Sequence, residues 1–130
     1  MKQITEDFVS FEVAKLLKEK GFKEIVQSLW IGEDEYHYIS TESIKPDDYN
    51  SGGTCLYSAP TQSLALKWLR EVHNIYIDIL TYTTGKNTQF RWVGYDKGRL
   101  FSQEEGKTIY FNSYEEAVEA ACSYVLKNLI

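Results

Sequence analysis

The stretch Ile75 to Gly85, IYIDILTYTTG, constrains the fold of this chain more than any other. Ile75, Ile77 and Ile79 alternate with Tyr76, Asp78, Leu80 and Tyr82, a period of two that belongs to a pleated strand and would scatter around a helix. Two later runs, TQFRWVGY and KTIYFN, continue the alternation, separated by GKN and by DKGRLFSQEEG. Together the three predict an inward set: Ile75, Ile77, Ile79, Phe90, Trp92, Ile109 and Phe111. The outward set is Tyr76, Asp78, Leu80, Tyr82, Arg91, Val93, Tyr95 and Tyr110. The first set supplies the apolar wall of a core. The second lacks the lysines, glutamates and threonines of an ordinary solvated sheet face.

Helices bracket these strands. Thr5 is a candidate N-cap, Glu6 and Asp7 follow in a first turn, and Lys18, Lys20 and Gly21 close the segment, so a helix is expected over about 6–20. Gly21 can adopt the left-handed position that lets Phe22 fold back on Leu17. A second helix over roughly 61–73 follows Pro60, with Leu64, Ala65, Trp68, Leu69 and Val72 on one face and Asn74 as its stop. A third begins at Ser113 and Glu116, the two ends of a capping box. Its expected buried stripe is Tyr114, Ala117, Val118, Ala121, Val125 and Leu129. Between the first two helices, EIVQSLWI and EYHYIS flank GED as a hairpin, and STESIKPDDYNSGGT reads as a long loop. Without regular strand-helix alternation, one globular domain over 1–130 is expected. It is of the α+β class, a mostly antiparallel sheet of about five strands with three helices packed on one face, in the order α-β-β-α-β-β-β-α.

Several function classes are disfavoured. The net charge of −5 opposes general attraction to nucleic acid, whose non-specific affinity comes from lysine and arginine. The opening MKQITEDFVSFE carries acids where a secretory signal has its apolar region, and no run approaches a membrane span, so a cytoplasmic location is expected. Cys55 and Cys122 are too few for a disulfide framework, and Cys122 falls on the apolar stripe of the third helix, where it reads as a small hydrophobe. His37 and His73 have no companions at metal-ligand spacing. No metal and no cofactor are expected. The NSGGT loop lacks the Lys-Ser/Thr ending of a phosphate cradle.

Attention therefore falls on the outward set. The 15% aromatic content includes ten tyrosines, and tyrosine with arginine is the composition of binding surfaces: large contact area, little rotamer entropy and a hydroxyl that stays wet. Tyr76, Tyr82, Arg91, Tyr95 and Tyr110 are the candidate anchors for a protein partner or a second copy of the chain. A purely structural reading of the same residues also exists, because tyrosine has high strand propensity and cross-strand aromatic pairs stabilise sheets by themselves. The alternative functional reading is a small enzyme or ligand-binding domain with a pocket near the 45–58 loop and His37, in which Cys55 would act with His37 and Asp47 or Asp48.

The segment Tyr57-Ser58-Ala59-Pro60-Thr61-Gln62, with Trp68-Leu69-Arg70-Glu71, Ile75 and Tyr114-Glu115-Glu116-Ala117, resembles a group of small uncharacterised proteins encoded in prophages and other mobile elements of gut bacteria. The resemblance covers roughly Cys55 to Ile130. It implies a bacterial cytoplasmic setting and a phage-related role, and carries no site residues.

Overall fold

The computed structural model describes residues 3–32, 34–45, 55–102 and 107–130. The chain is α+β, and its described residues form three helices and two three-stranded antiparallel sheets in place of the single sheet of about five strands expected above. It divides into two compact units, Met1–Ala65 and Leu66–Ile130.

In the first unit, α1 (Phe11–Glu19) precedes β1 (Val26–Ile31), β2 (Tyr36–Ile44) and β3 (Leu56–Ser58), and the sheet order is β2-β1-β3. The hairpin around GED forms as expected, with Ile31 opposite Tyr36 and Trp30 opposite His37. The third strand was not foreseen; it pairs Leu56 with Ile31 and Ser58 with Leu29. The first helix starts later than Thr5 suggested. Residues 7–9 are extended because they bond to the chain beyond β3: Val9 N–H donates to the Pro60 carbonyl at 2.9 Å, and Gln62 N–H donates to the Asp7 carbonyl at 2.9 Å. Ser10 is therefore the N-cap, its Oγ accepting from Val13 N–H at 3.2 Å. The end of α1 follows the expectation. Gly21 has φ +87°, and Phe22 N–H donates to the Leu17 carbonyl at 3.0 Å, the longer bond of a Schellman ending. Phe22 and Leu17 are both fully buried there.

Helix α2 (Gln62–His73) begins in the first unit and ends in the second. Thr61 Oγ1 accepts from Leu64 N–H at 3.2 Å, and Asn74 stops the helix at φ +56°. The second unit then holds β4 (Ile75–Thr84), β5 (Asn87–Asp96), β6 (Arg99–Phe101) and α3 (Tyr114–Asn128), with sheet order β4-β5-β6. Strands β4 and β5 pair without a bulge from Ile75↔Asp96 to Thr84↔Asn87, closed by the two-residue loop Gly85-Lys86. A second tight turn, Lys97 (φ +53°) and Gly98 (φ +81°), feeds β6. Two positive φ values in a row define the mirror-image turn that matches strand twist.

The run KTIYFN is not a strand; only Phe111 pairs, by a bridge to Phe90. The outer edge of β5 is shared, β6 taking Gly94 to Asp96 and Phe111 taking Phe90. Helix α3 lies against the inward face of β4 and β5, with Tyr124 against Trp92 at 5.4 Å between ring centroids and Tyr114 against Phe90 at 6.3 Å. Its buried residues are Ala117, Val118, Ala121, Cys122, Val125 and Leu126. Tyr114, expected on that stripe, is exposed because it opens the first turn after the Ser113 cap.

Candidate functional site

Ladder register decides which side chains share a face. Tyr76 lies opposite Tyr95, Asp78 opposite Val93, Leu80 opposite Arg91 and Tyr82 opposite Gln89, all pointing away from the face that carries Trp92. The inward partners are Ile77 with Gly94, Ile79 with Trp92 and Thr81 with Phe90. Trp92 is 2% exposed and Ile75 2%, whereas Tyr76 is 47% exposed, Tyr82 51%, Tyr95 37% and Tyr110 39%. The alternation read from the sequence is thus the real division of the ribbon into two faces.

All five candidate anchors fall on one surface. Tyr76 and Tyr95 form a direct cross-strand pair at one end. At the other end, roughly 20 Å away for six residues of strand rise, the rings of Tyr82 and Tyr110 meet at 5.4 Å between centroids. Tyr110 reaches this position because its neighbour Phe111 is bonded to Phe90, which turns residue 110 to the outer face beside Arg91. Arg91 is half-buried between them. The sequence reading missed Leu100, which pairs with Tyr95, shares its face and is 62% exposed. Its signal was the Lys97-Gly98 dipeptide, a hairpin turn that makes the following residues a strand. The surface offers phenols, Leu80, Leu100 and Val93, with Asp78 and Arg91 as its charges. Such a set has the chemistry for contact through area and hydrogen bonds.

The alternative site has a different geometry. Residues 46–54, which include Asp47, Asp48 and all of NSGGT, lie outside the described residues. His37 stacks on Trp30 at 4.7 Å between centroids and meets the edge of Phe8 at 5.0 Å. Its Nε2 is 3.0 Å from Ser28 Oγ. Ser28 is fully buried and donates its hydroxyl proton to the Ala59 carbonyl at 2.6 Å, so the imidazole Nε2–H is the donor in the first contact. A buried hydroxyl whose proton is committed to a carbonyl, facing a ring nitrogen that already carries its own proton, is a structural chain and not an activated nucleophile. Burial lowers the His37 pKa from its ordinary value.

Around this chain stands an aromatic cluster that the sequence did not announce. Phe11 meets Trp30 and Tyr57 edge-on, Lys18 lies over the Tyr57 ring at 4.7 Å, and Trp30 Nε1–H donates to the Val9 carbonyl at 3.0 Å. Lys18 Nζ donates to the Leu56 carbonyl at 3.0 Å, and burial lowers its pKa against an opposing pull from Cys55. A groove of about 570 Å³ beside Phe8, Ile25, Pro60 and Leu64 has Glu6 as its one ionisable lining residue among the described residues. Among the described residues no three His, Cys, Asp or Glu side chains gather in a way that could hold a metal ion. Nor is any described helix long and apolar enough to cross a membrane.

Comparison of the chain with protein-family models, with curated proteins and with solved structures finds no match.

Proposed function

We propose that the chain is a non-enzymatic binding protein whose tyrosine-bearing face of β4, β5 and β6 receives a protein partner. One observation carries the reading: the residues of a long, bulge-free ribbon segregate so that isoleucines and Trp92 turn inward, while Tyr76, Leu80, Tyr82, Tyr95, Leu100 and Tyr110 stand exposed together. An apolar cluster of that extent, supplied by phenols and rimmed by Asp78 and Arg91, has the make-up of a protein recognition surface. The resemblance to mobile-element proteins supports a phage-related setting for that partner.

The test compares affinity captures from the cell that encodes the protein, using wild type, a Tyr76→Glu/Tyr95→Glu double variant and an Ile39→Lys control in the first unit. A partner retained by the control and lost by the double variant is expected, since removing an anchor tyrosine weakens binding by roughly 30-fold. A partner held equally by all three would refute the assignment to this face.

A further inference from the structure

The outer edge of β4 has a property separate from the face. Because Gly85-Lys86 is a two-residue loop, Thr84 and Asn87 exchange both of their backbone hydrogen bonds, and so do Tyr82↔Gln89, Leu80↔Arg91, Asp78↔Val93 and Tyr76↔Tyr95. The remaining β4 residues turn their N–H and C=O groups the other way. Phe90 verifies the parity: it exchanges both bonds with Phe111, on the side of β5 opposite Thr81. Ile77, Ile79, Thr81 and Thr83 therefore present a row of donors and acceptors on the outer edge, while Ile75 at its start is buried. Among the described residues no strand pairs with it.

Natural edges of this length are blunted by lysine, proline, bulges or brevity. This one has none of these: ten residues in unbroken register, no proline, no basic residue, and Asp78 as its one charge.

We propose that β4 pairs antiparallel with β4 of a second copy about a two-fold axis at Ile79, joining two three-stranded sheets into one of six strands. The strand's own charge disfavours the register one residue earlier. Centring one residue earlier sets Asp78 against Asp78 of the other copy, like charges in the closest type of cross-strand pair. Centring on Ile79 instead sets Tyr76 against Tyr82 twice and Asp78 against Leu80 twice. Tyr–Tyr pairs across the seam make the two tyrosine faces continuous. Pairing Ile77, Ile79 and Thr81 of each copy forms about six backbone hydrogen bonds, within the range that an interface of standard size carries.

Sedimentation equilibrium between about 10 and 200 µM tests the proposal, with circular dichroism to verify folding. Wild type is expected to dimerise. Thr81→Pro removes an outward N–H that β5 does not use, so it should leave the spectrum unchanged and weaken the dimer about tenfold or more. Leu80→Lys, an exposed position whose substitution does not threaten the fold, brings a cation opposite Asp78 of the other copy at two places and should tighten the dimer about threefold to tenfold at low salt. Tyr95→Glu, on the face but away from the seam, should leave the dimer intact. A wild type monomeric at 200 µM overturns the proposal. So does a dimer indifferent to Thr81→Pro, one weakened by Leu80→Lys, or one lost with Tyr95→Glu, which would place the contact on the face. Edge pairing and partner binding by the face can fail separately, because Tyr95→Glu reads only the second.

Discussion

Replacing Trp92 by alanine and Tyr82 by alanine perturbs the two faces of one ribbon and sets their energies side by side. Trp92 is 2% exposed, lies opposite Ile79, and holds Phe101 at 5.9 Å and Tyr124 at 5.4 Å between ring centroids. Deleting its indole leaves a cavity between sheet and α3, a loss of about 3–5 kcal/mol against a total stability of about 5–15 kcal/mol. Tyr82 is half exposed and its ring meets that of Tyr110. That pair is worth about 0.5–1.5 kcal/mol. Urea unfolding followed by far-ultraviolet circular dichroism converts these to midpoints: with a slope of about 2 kcal/mol/M, Trp92→Ala moves the transition of its unit down by about 2 M and Tyr82→Ala by less than about 0.8 M. Equal shifts, or a larger one for Tyr82→Ala, would refute the two-face reasoning.

Three further outcomes follow from the same geometry. Gly94→Val should cost about 1–3 kcal/mol through overpacking, because any Cβ at Gly94 collides with the Phe101 ring; thermal melting measures it, and an unshifted Tm would contradict the contact. Thiol labelling at pH 8 should modify Cys55, which is exposed, and spare Cys122 until the protein is unfolded, since burial, helped by Glu119, pushes that thiol up to about 12. Because burial depresses the His37 pKa below its ordinary 6.5, the unfolded state binds the proton more readily. Its contribution to stability is therefore full above about 6.5 and lost as pH falls through the folded value, a slope that His37→Gln should flatten in unfolding curves taken between pH 7 and 5.

What the sequence disclosed was local chemistry. Gly21 with Phe22, Asn74, and Ser113 with Glu116 each satisfy backbone groups of their own helix, so their meaning does not depend on the rest of the fold. In the last case Ser113 Oγ accepts from Glu116 N–H at 3.0 Å, while Glu116 Oε2 accepts from Asn112 N–H at 3.1 Å, one residue earlier than a capping box requires. The alternation of β4 and β5 was equally legible because it extends over ten residues in each strand. Misreadings arose where partners distant in sequence decide. Thr5 has good capping chemistry, but the chain at 7–9 is drawn out by Pro60 and Gln62. Strands β3 and β6 are three residues each and owe their existence to β1 and β5. Leu100 was lost with β6. The division into two sheets was not legible because period two states which side of a strand is apolar, not which strand lies beside it.

The same period separates the two proposals experimentally. In a pleated strand, a residue that alternates its side chain between faces also alternates its backbone groups between neighbours. On β4, Tyr76, Asp78, Leu80 and Tyr82 point side chains to the exposed face and backbone bonds to β5, whereas Ile77, Ile79, Thr81 and Thr83 point side chains inward and backbone groups to the outer edge. A side-chain change at Tyr95, on β5, thus bears on the proposed recognition by the face while the outer edge of β4 stays untouched. Proline at Thr81 alters the edge while every phenol stays in place. Proline at Leu80 would break the β4–β5 ladder itself, so unequal spectra for Thr81→Pro and Leu80→Pro are the direct measure of whether the parity deduced from the Gly85-Lys86 turn is correct.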